Sequence, residues 1–465
     1  MKDKRPNIIL ITTDHLRRDS IGIYGNNIIR TPNIDKLARN GTIFTNAYTA
    51  CPLCMPSRNS IITGLYPHQH GICGNKGQPV SMEHRRLTFS NILQESGYTT
   101  AFIGKHHFYD FWEEYRDYRE IEEQIKDYGF NKVIQVVDLS ENLHNDCDFT
   151  AYLKKKGLLE KYRSEAKNLP LFESNFAPED TVDGFVGNRC VEYIQDTDTD
   201  SPFFLWSSFL GPHPPYTAPG EFSQMYDPQD MPSPIFTENS AVIERAKRAR
   251  AKYYGMVSHI DHHVGRMIKV LKKRGILENT LIILTSDHGD TLGDRGHWDK
   301  RRFYESSVGV PLIISGPGFP CGGLGSSTGG MKSRILTENI DLYATVLNTA
   351  GLEIPETRIP LSGRSMQSMI TNRYENIRNA VFSEMGQWIM IRDARWKLTY
   401  DPEQGGVRML FNMATDPYES DNLCGKPEYR DVEYQLVSRI LNWLIRTSTY
   451  TQYKEYQRIK DVVSS

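Results

Sequence analysis

No stretch of this 465-residue chain approaches the ~20 consecutive apolar residues that a membrane-spanning helix needs. Neither sign of charge is in excess. Lys and Arg number 55 against 57 Asp and Glu, a formal net charge of −2, which argues against a dedicated nucleic-acid or polybasic membrane binder. Cysteine is scarce: seven at wide spacings make no disulfide framework and suit a reducing compartment. The N-terminal Met1-Lys2-Asp3-Lys4-Arg5-Pro6 leads into an apolar run that stops at Ile11, with Asp14 following. A secretory signal needs about 7–15 apolar residues and a small-residue cleavage site, so the expectation is a cytoplasmic protein. No internal repeat is visible. What is present is ordinary for a globular protein, 39% hydrophobic and 24% charged, which excludes disordered and fibrous classes. The length allows two or three domains at roughly 150 residues each.

Asn7–Thr13 (NIILITT) is a β-branched run ending at Asp14, the pattern of a buried strand in a parallel sheet. Phe203–Phe209, Thr280–Thr285 and Pro311–Ser315 read the same way. Between them lie helical patterns such as Ala251–Arg274, with Val257, Ile260, Val264, Met267, Ile268 and Leu271 on one face. Alternating strands and helices predict an α/β sandwich with a mostly parallel sheet, whose ligands sit beyond the carboxyl ends of the strands. Asp14, His213 and Asp287-His288 occupy such ends. The segment Asp110–Asp183, rich in charge and Tyr, reads as a surface excursion, and Cys321–Gly330 as a loop. After about residue 370 the texture changes to short strand-like pieces at Ala380–Glu384, Trp388–Arg392, Lys397–Tyr400 and Val407–Asn412. These predict a small antiparallel sheet closed by a helix at Val432–Arg446. The expected division is therefore 1–370 for a large α/β domain and 371–465 for a smaller α+β subdomain.

The most informative segment is Cys51–Gly71, CPLCMPSRNSIITGLYPHQHG. Cys51-Pro-Leu-Cys54 fits a redox CxxC, but no thioredoxin-like βαβ unit surrounds it. Cys51, Cys54, His70 and Cys73 also have the spacing of a Cys₃His zinc site. Neither reading accounts for Pro56, Ser57, Arg58, Thr63 and Gly64.

Cys54-Met-Pro-Ser-Arg58 followed by Thr63-Gly64 resembles the C/S-x-P-S-R and T-G motif of type I sulfatases, a family of the alkaline-phosphatase superfamily. The resemblance implies an alkaline-phosphatase-like sandwich and a separate sulfatase maturation enzyme that oxidises Cys54 to Cα-formylglycine. A thiolate that attacks sulfur leaves an adduct with no easy internal exit. A hydrated aldehyde carries two hydroxyls on one carbon: one attacks sulfur, and loss of the other's proton re-forms the carbonyl and expels sulfate. Arg58, one helical turn on, would neutralise and hold the hydrate.

Other positions carry over one at a time. Asp14 matches the first metal ligand of the family's opening strand. His15 departs from the Asp or Gln usual next to it and is a softer donor, either a ligand or a support to one. Ser286-Asp287-His288-Gly289 resembles the second metal-binding strand end, giving Asp287 and His288. With modified Cys54 they would hold one divalent ion: calcium by family habit, with magnesium or manganese as alternatives. Gly104-Lys105-His106-His107 resembles G-K-x-H and places Lys105 and His107 in the pocket. Phe209-Leu-Gly-Pro-His213-Pro-Pro contributes His213, and Gly293-Asp-Arg-Gly-His-Trp-Asp-Lys300 contributes Lys300. These cations would stabilise charge spread over the sulfuryl oxygens. His107 would assist breakdown of the hemiacetal, and Lys300 or His213 would protonate the leaving oxygen. His70, Arg295 and His297 are candidate substrate contacts. His259 and His263 lack the H-E-x-x-H pattern and read as ordinary helix residues. The segment Leu410–Leu423 resembles the family's closing L-Y-D-L-x-x-D-P-x-E-x-x-N-L.

The expected activity is hydrolysis of a sulfate ester, on a glycosaminoglycan-type mono- or oligosaccharide. The alternatives are a phosphonate monoester or phosphodiester hydrolase, a choline-type small-molecule sulfatase, or a non-catalytic relative. Arg392, Arg395 and Trp396 are candidates for contacts beyond the sulfate.

Overall fold

The computed structural model describes residues 5–76, 79–109, 117–168, 174, 176–320, 330–357, 359–371 and 377–448. Eight strands form the large sheet: β1 (Asn7–Thr13), β2 (Gly41–Tyr48), β3 (Thr99–Gly104), β4 (Lys132–Gln135), β5 (Phe203–Ser208), β6 (Thr280–Ser286), β7 (Leu312–Ser315) and β8 (Met331–Glu338). They lie in the order β4-β3-β5-β1-β6-β7-β2-β8. The central β1 pairs in parallel with β5 and β6, Ile8 facing Phe204 on one side and Leu281 on the other. Because the sheet is covered on both faces, the strand is apolar throughout: Ile8, Ile9, Leu10 and Ile11 are each 1% exposed or less. β1, β5 and β6 end together, which brings Asp14, the loop carrying His213, and Asp287-His288 to one edge.

Two expectations need correction. Pro311–Ser315 does form a strand, but β7 runs antiparallel to both β6 and β2. A short apolar run carries no sign of direction, and antiparallel neighbours need no crossover helix between them. The segment Asp110–Asp183 is more than a surface excursion. Its β4 extends the sheet edge, pairing in parallel with β3, and Ile121, Ile125, Tyr128, Phe149 and Leu153 are fully buried in the main core. Of Cys321–Gly330, all but Gly330 lie outside the described residues.

The helices that matter for the site are α1 (Pro32–Arg39), α2 (Cys54–Thr63), α3 (Val182–Asp196), α4 (Ser240–Lys273), α5 (Asp341–Thr349) and α6 (Arg430–Ser448). α4 begins well before Ala251 because the Asn239 side chain accepts the backbone N–H groups of Ala241 and Val242. The small sheet is antiparallel and ordered β12-β11-β10-β9, from β9 (Ala380–Met385), β10 (Trp388–Asp393), β11 (Trp396–Asp401) and β12 (Gly406–Asn412). α6 closes it with Leu436, Ile440 and Trp443, the indole stacked on Phe382 at 4.6 Å. A buried seam joins the two sheets: Glu338, at the end of β8, accepts from Tyr66 Oη at 2.7 Å and pairs with Arg378 at 2.9 Å. Among the described residues no helix is long and apolar enough to cross a membrane.

Candidate active site

Cys54 is the first residue of α2, fully buried, so its sulfur sits where helix N–H groups favour negative charge. The rest of the motif fastens that helix in place. Ser57 Oγ donates to Asp287 O at 2.7 Å and accepts from Asn339 Nδ2 at 2.8 Å, tying α2 to the ends of β6 and β8. Arg58 is wholly buried. Its Nε donates to Asp287 Oδ2 at 2.9 Å, and its Nη1 donates to Lys105 O at 2.7 Å and Ser208 Oγ at 2.8 Å. Asn59 Nδ2 reaches Phe108 O at 2.8 Å, holding the Lys105–His107 loop. Thr63 donates to Asn59 O, and Gly64 takes φ 70° where a Cβ would lie 2.8 Å from the Tyr343 ring. So most of the motif is scaffold, while the Cys54 sulfur and Arg58 Nη2, the latter 3.5 Å from Asp14 Oδ2, face the site.

Around the sulfur stand Lys300 Nζ at 2.8 Å, His288 Nε2 at 3.3 Å and Asp14 Oδ1 at 3.6 Å. Lys105 Nζ contacts Asp14 Oδ2 at 2.6 Å and Asp138 Oδ1 at 2.7 Å. His213 donates through Nδ1 to Pro214 O and turns Nε2 to within 3.4 Å of Lys300. His107 reaches the Cys54 thiol, and its Nδ1 is buried without a partner. Burial resists ionisation of Cys54, yet Lys300, Lys105 and His288 together hold the thiol well below its ordinary range. Asp14 is likewise held well down: burial and the Cys54 charge push it up, and Lys105, His213 and Lys300 outweigh them. Burial first, then the charge of Asp14, raises Asp287. Two buried carboxylates that repel each other beside an imidazole form a donor set suited to a cation.

Asp14, Cys54, Asp287 and His288 each offer one ligand atom, all within 4.8 Å of one another, and all four are buried. Asp14, His15, Cys54 and His213 form an overlapping group. These residues fit a divalent ion. His15 is clamped: Nδ1 lies 2.9 Å from Asp290 Oδ2, and Nε2 faces Lys300 Nζ at 2.8 Å and Asp299 Oδ1 at 3.3 Å. Asp290 also accepts from Tyr216 Oη at 2.7 Å. Asp138, Asp290 and Asp299 carry no motif of their own and were not legible as site residues. Asp290 does stand three residues past Asp287, at the same strand end. Backbone strain gathers here too, with non-glycine positive φ at His15 (68°), His107 (46°), Asp299 (68°) and Arg301 (69°).

Other candidates lie elsewhere. His70 is 4% exposed, with Nε2 3.1 Å from Ser60 Oγ and Nδ1 accepting from Ile72 N, so both ring nitrogens are engaged and none is left for substrate. Burial pushes its pKa down to about 3. The zinc reading falls with it, since neither metal-competent group among the described residues contains Cys51, His70 or Cys73. His259 and His263 are buried against each other, Nε2 to Nε2 at 3.1 Å. Arg295 and His297 sit beside Tyr304, with Arg295 Cζ 4.4 Å from the Tyr304 ring centre. Arg395 is exposed and lies over Trp396.

The model of the sulfatase family matches residues 6–352, and that of the N-sulphoglucosamine sulphohydrolase C-terminal region matches residues 293–447. The chain is similar to an arylsulfatase of Clostridium perfringens, 30% identical over 92% of both proteins. It is also similar to an N-acetylglucosamine-6-O-sulfatase of Bacteroides thetaiotaomicron, 26% identical over 97% of this chain and 87% of that protein. Among solved structures, the phosphonate monoester hydrolase of Agrobacterium radiobacter superposes with a TM-score of 0.78 at 23% identity, covering 94% of this chain and 95% of that one. At that identity the likeness is one of fold.

Proposed function

The chain belongs to the sulfatase family and is a sulfuric ester hydrolase; from that premise we propose that it desulfates a small carbohydrate, with Cys54 converted to formylglycine as the nucleophile. One observation carries the reading: a buried Cys54 at a helix N-terminus, within 3.6 Å of Lys300, His288 and Asp14. Its sulfur marks the place of the hydroxyl that would attack. The sugar is favoured by the similarity to an N-acetylglucosamine-6-O-sulfatase.

Asp14, Asp287, His288 and the modified Cys54 would hold one divalent ion. When bound, it supplies Lewis-acid polarisation and screening of the sulfuryl charge. The remaining work falls to the chain. Arg58 neutralises Asp287 and fixes the backbone that aims Lys105, and its buried Nη2, 3.5 Å from Asp14 Oδ2 and without a hydrogen-bond partner, is the end that would hold the hydrate. Lys105 and Lys300, both buried, hold the sulfuryl oxygens as negative charge builds on them. His213 keeps its Nδ1 proton on Pro214 O, so its Nε2 faces Lys300 as an acceptor that orients the ammonium, and Lys300 gives the leaving oxygen its proton. His107 takes the hydroxyl proton whose loss releases sulfate.

The test is sulfate release by protein matured alongside a sulfatase maturation enzyme. The panel is a sugar sulfate, choline sulfate, an aryl sulfate and a phosphonate monoester, each assayed before and after chelation. The reading predicts turnover of the sulfate esters that chelation abolishes and a divalent ion restores. Preferential turnover of the phosphonate would overturn it.

A further inference from the structure

Beside the catalytic pocket lies a second cavity of about 360 Å³, between the large sheet and the small one. Arg18, Arg295 and Arg392 line it, and with Arg17 they place four guanidinium groups around one space. The acids that also line it are largely spoken for. Asp294 is paired with Arg17 at 2.7 Å and with Arg250 at 2.6 Å. Glu305 is paired with Arg18 at 2.8 Å and with Lys397 at 3.1 Å, and Glu419 with Lys397 at 2.6 Å. Asp19 is paired with Arg17 at 2.7 Å. Arg295 and Arg392 form no ion pair with a carboxylate among the described residues. Arg295 donates to the carbonyls of Tyr418 and Glu419, and Arg392 to the carbonyl of Asp393. The four arginines and four acids of the lining cancel formally, and the charge left without a carboxylate partner on the cavity wall is that of Arg295 and Arg392.

Two donors there are also unanswered. Arg392 Nε and Arg18 Nη1 are buried nitrogens with no hydrogen-bond partner, and Arg392 is only 8% exposed. An unmet buried N–H on a cation is costly, and an oxyanion is the group that satisfies it. The two guanidinium groups flank one ring, their Cζ atoms 5.8 and 5.6 Å from the centre of Tyr48. That buried ring holds both in place. Tyr418, which is 68% exposed, gives the cavity an aromatic rim on which a sugar ring could lie.

The cavity adjoins the chemistry. The segment Thr291–Glu305 serves both spaces, with Lys300 against Cys54 and Arg295 and Tyr304 in the cavity. Thr291, also in its lining, donates its N–H to the carbonyl of Asp299, whose carboxylate lies 3.3 Å from His15. Arg295 and Lys300 are five residues apart, so their Cα atoms lie within about 18 Å, a span one oligosaccharide covers.

We propose that this cavity is an oxyanion subsite that takes a second acidic group, a carboxylate or sulfate, on the sugar next to the one being desulfated. It rests on the sulfatase reading above and narrows its substrate to acidic oligosaccharides. The same chemistry would admit a free inorganic anion, and the experiment separates the two sources.

Binding is measured by calorimetry on the full chain carrying Cys54→Ala, which needs neither maturation nor turnover. The probes are a sulfated glucosamine linked to a uronic acid, the same disaccharide with its carboxyl reduced to an alcohol, and inorganic sulfate. The acidic disaccharide should bind at least tenfold more tightly than the reduced one. Adding Arg392→Gln, or Arg295→Gln at the more exposed wall, should bring the two to within about threefold. A free-anion site would instead show as a second equivalent of bound inorganic sulfate that Arg392→Gln removes. Equal binding of the two disaccharides, with no second sulfate equivalent, overturns the subsite. Failure of the sulfatase reading shows separately, as matured wild type that releases no sulfate from any ester.

Discussion

Lys300 reaches three members of the candidate chemistry at once: Cys54 at 2.8 Å, His15 at 2.8 Å and His213 at 3.4 Å. Replacing it with Ala removes a charge that acts on the developing transition state while leaving the helix and the carboxylates in place. The expected loss in kcat is about 10²–10³-fold, with KM changed far less, read from steady-state kinetics on an aryl sulfate. An effect confined to KM would demote Lys300 to substrate binding. Arg58 predicts the opposite signature. Its Ala variant leaves the buried Asp287 carboxylate without its partner, and it also strips Lys105 O and Ser208 Oγ of their donor. That variant should lose about 3–5 kcal/mol of stability in urea unfolding, and near wild-type stability would contradict the scaffold role. Cys54, Arg58, Lys105, His213 and Lys300 were legible because the motif spacing names them. Asp138, Asp290 and Asp299 were not, because their work is to hold Lys105 and His15, and a supporting carboxylate has no sequence spacing of its own.

At the scale of elements, helix α1 is started by a residue far away in sequence. Asp261, on α4, accepts the backbone N–H groups of Asn33 at 3.0 Å and Ile34 at 2.7 Å, doing the work of an N-cap from another helix. Burial pushes this carboxyl up to about 6, against the pull of those N–H groups. A carboxyl raised on folding favours the folded state fully below its unfolded value of about 4, and that contribution is lost as pH climbs through 6. Asn at 261 is neutral throughout, and the Asn33 amide can turn to meet it. The stability of Asp261→Asn relative to wild type should therefore rise by roughly 3 kcal/mol between pH 4 and pH 7. Parallel stability curves for the two proteins would contradict this.

The elements themselves were unevenly readable. β1, β5 and β6 announce themselves as apolar runs because both faces are covered. β2 (GTIFTNAY) and β3 (TTAFIG) carry Gly, Thr and Asn among their apolar residues, and only their neighbours in the sheet make strands of them. The reversal of β7 and the edge position of β4 depend on long-range pairing, which composition does not record.

For the whole molecule, the question is what keeps the small sheet pressed against the large one. Arg378 sits at that seam, bonded to Glu338 and Asp341, both fully buried, with Tyr66 donating to Glu338 from the far side. Burial first, offset in part by Arg378, leaves Glu338 at about 7. Removing the guanidinium with Arg378→Ala strands two buried carboxylates. It should cost about 3–5 kcal/mol in urea unfolding, and an unchanged midpoint would contradict the seam's role. The arginine-lined cavity is walled by both sheets as well, with Tyr48 from β2 and Arg392 from β10, so the packing that joins the sheets also builds the space proposed for an acidic sugar.

The central claim is that Cys54 becomes the aldehyde from which the nucleophile is made, and the tryptic peptide Asn40–Arg58 reports it directly. From protein produced with a competent maturation enzyme, the account predicts a mass lower by roughly 18 Da than the unmodified peptide, on a fragment that includes Cys54. An unmodified Cys54 in that protein would contradict the proposed mechanism.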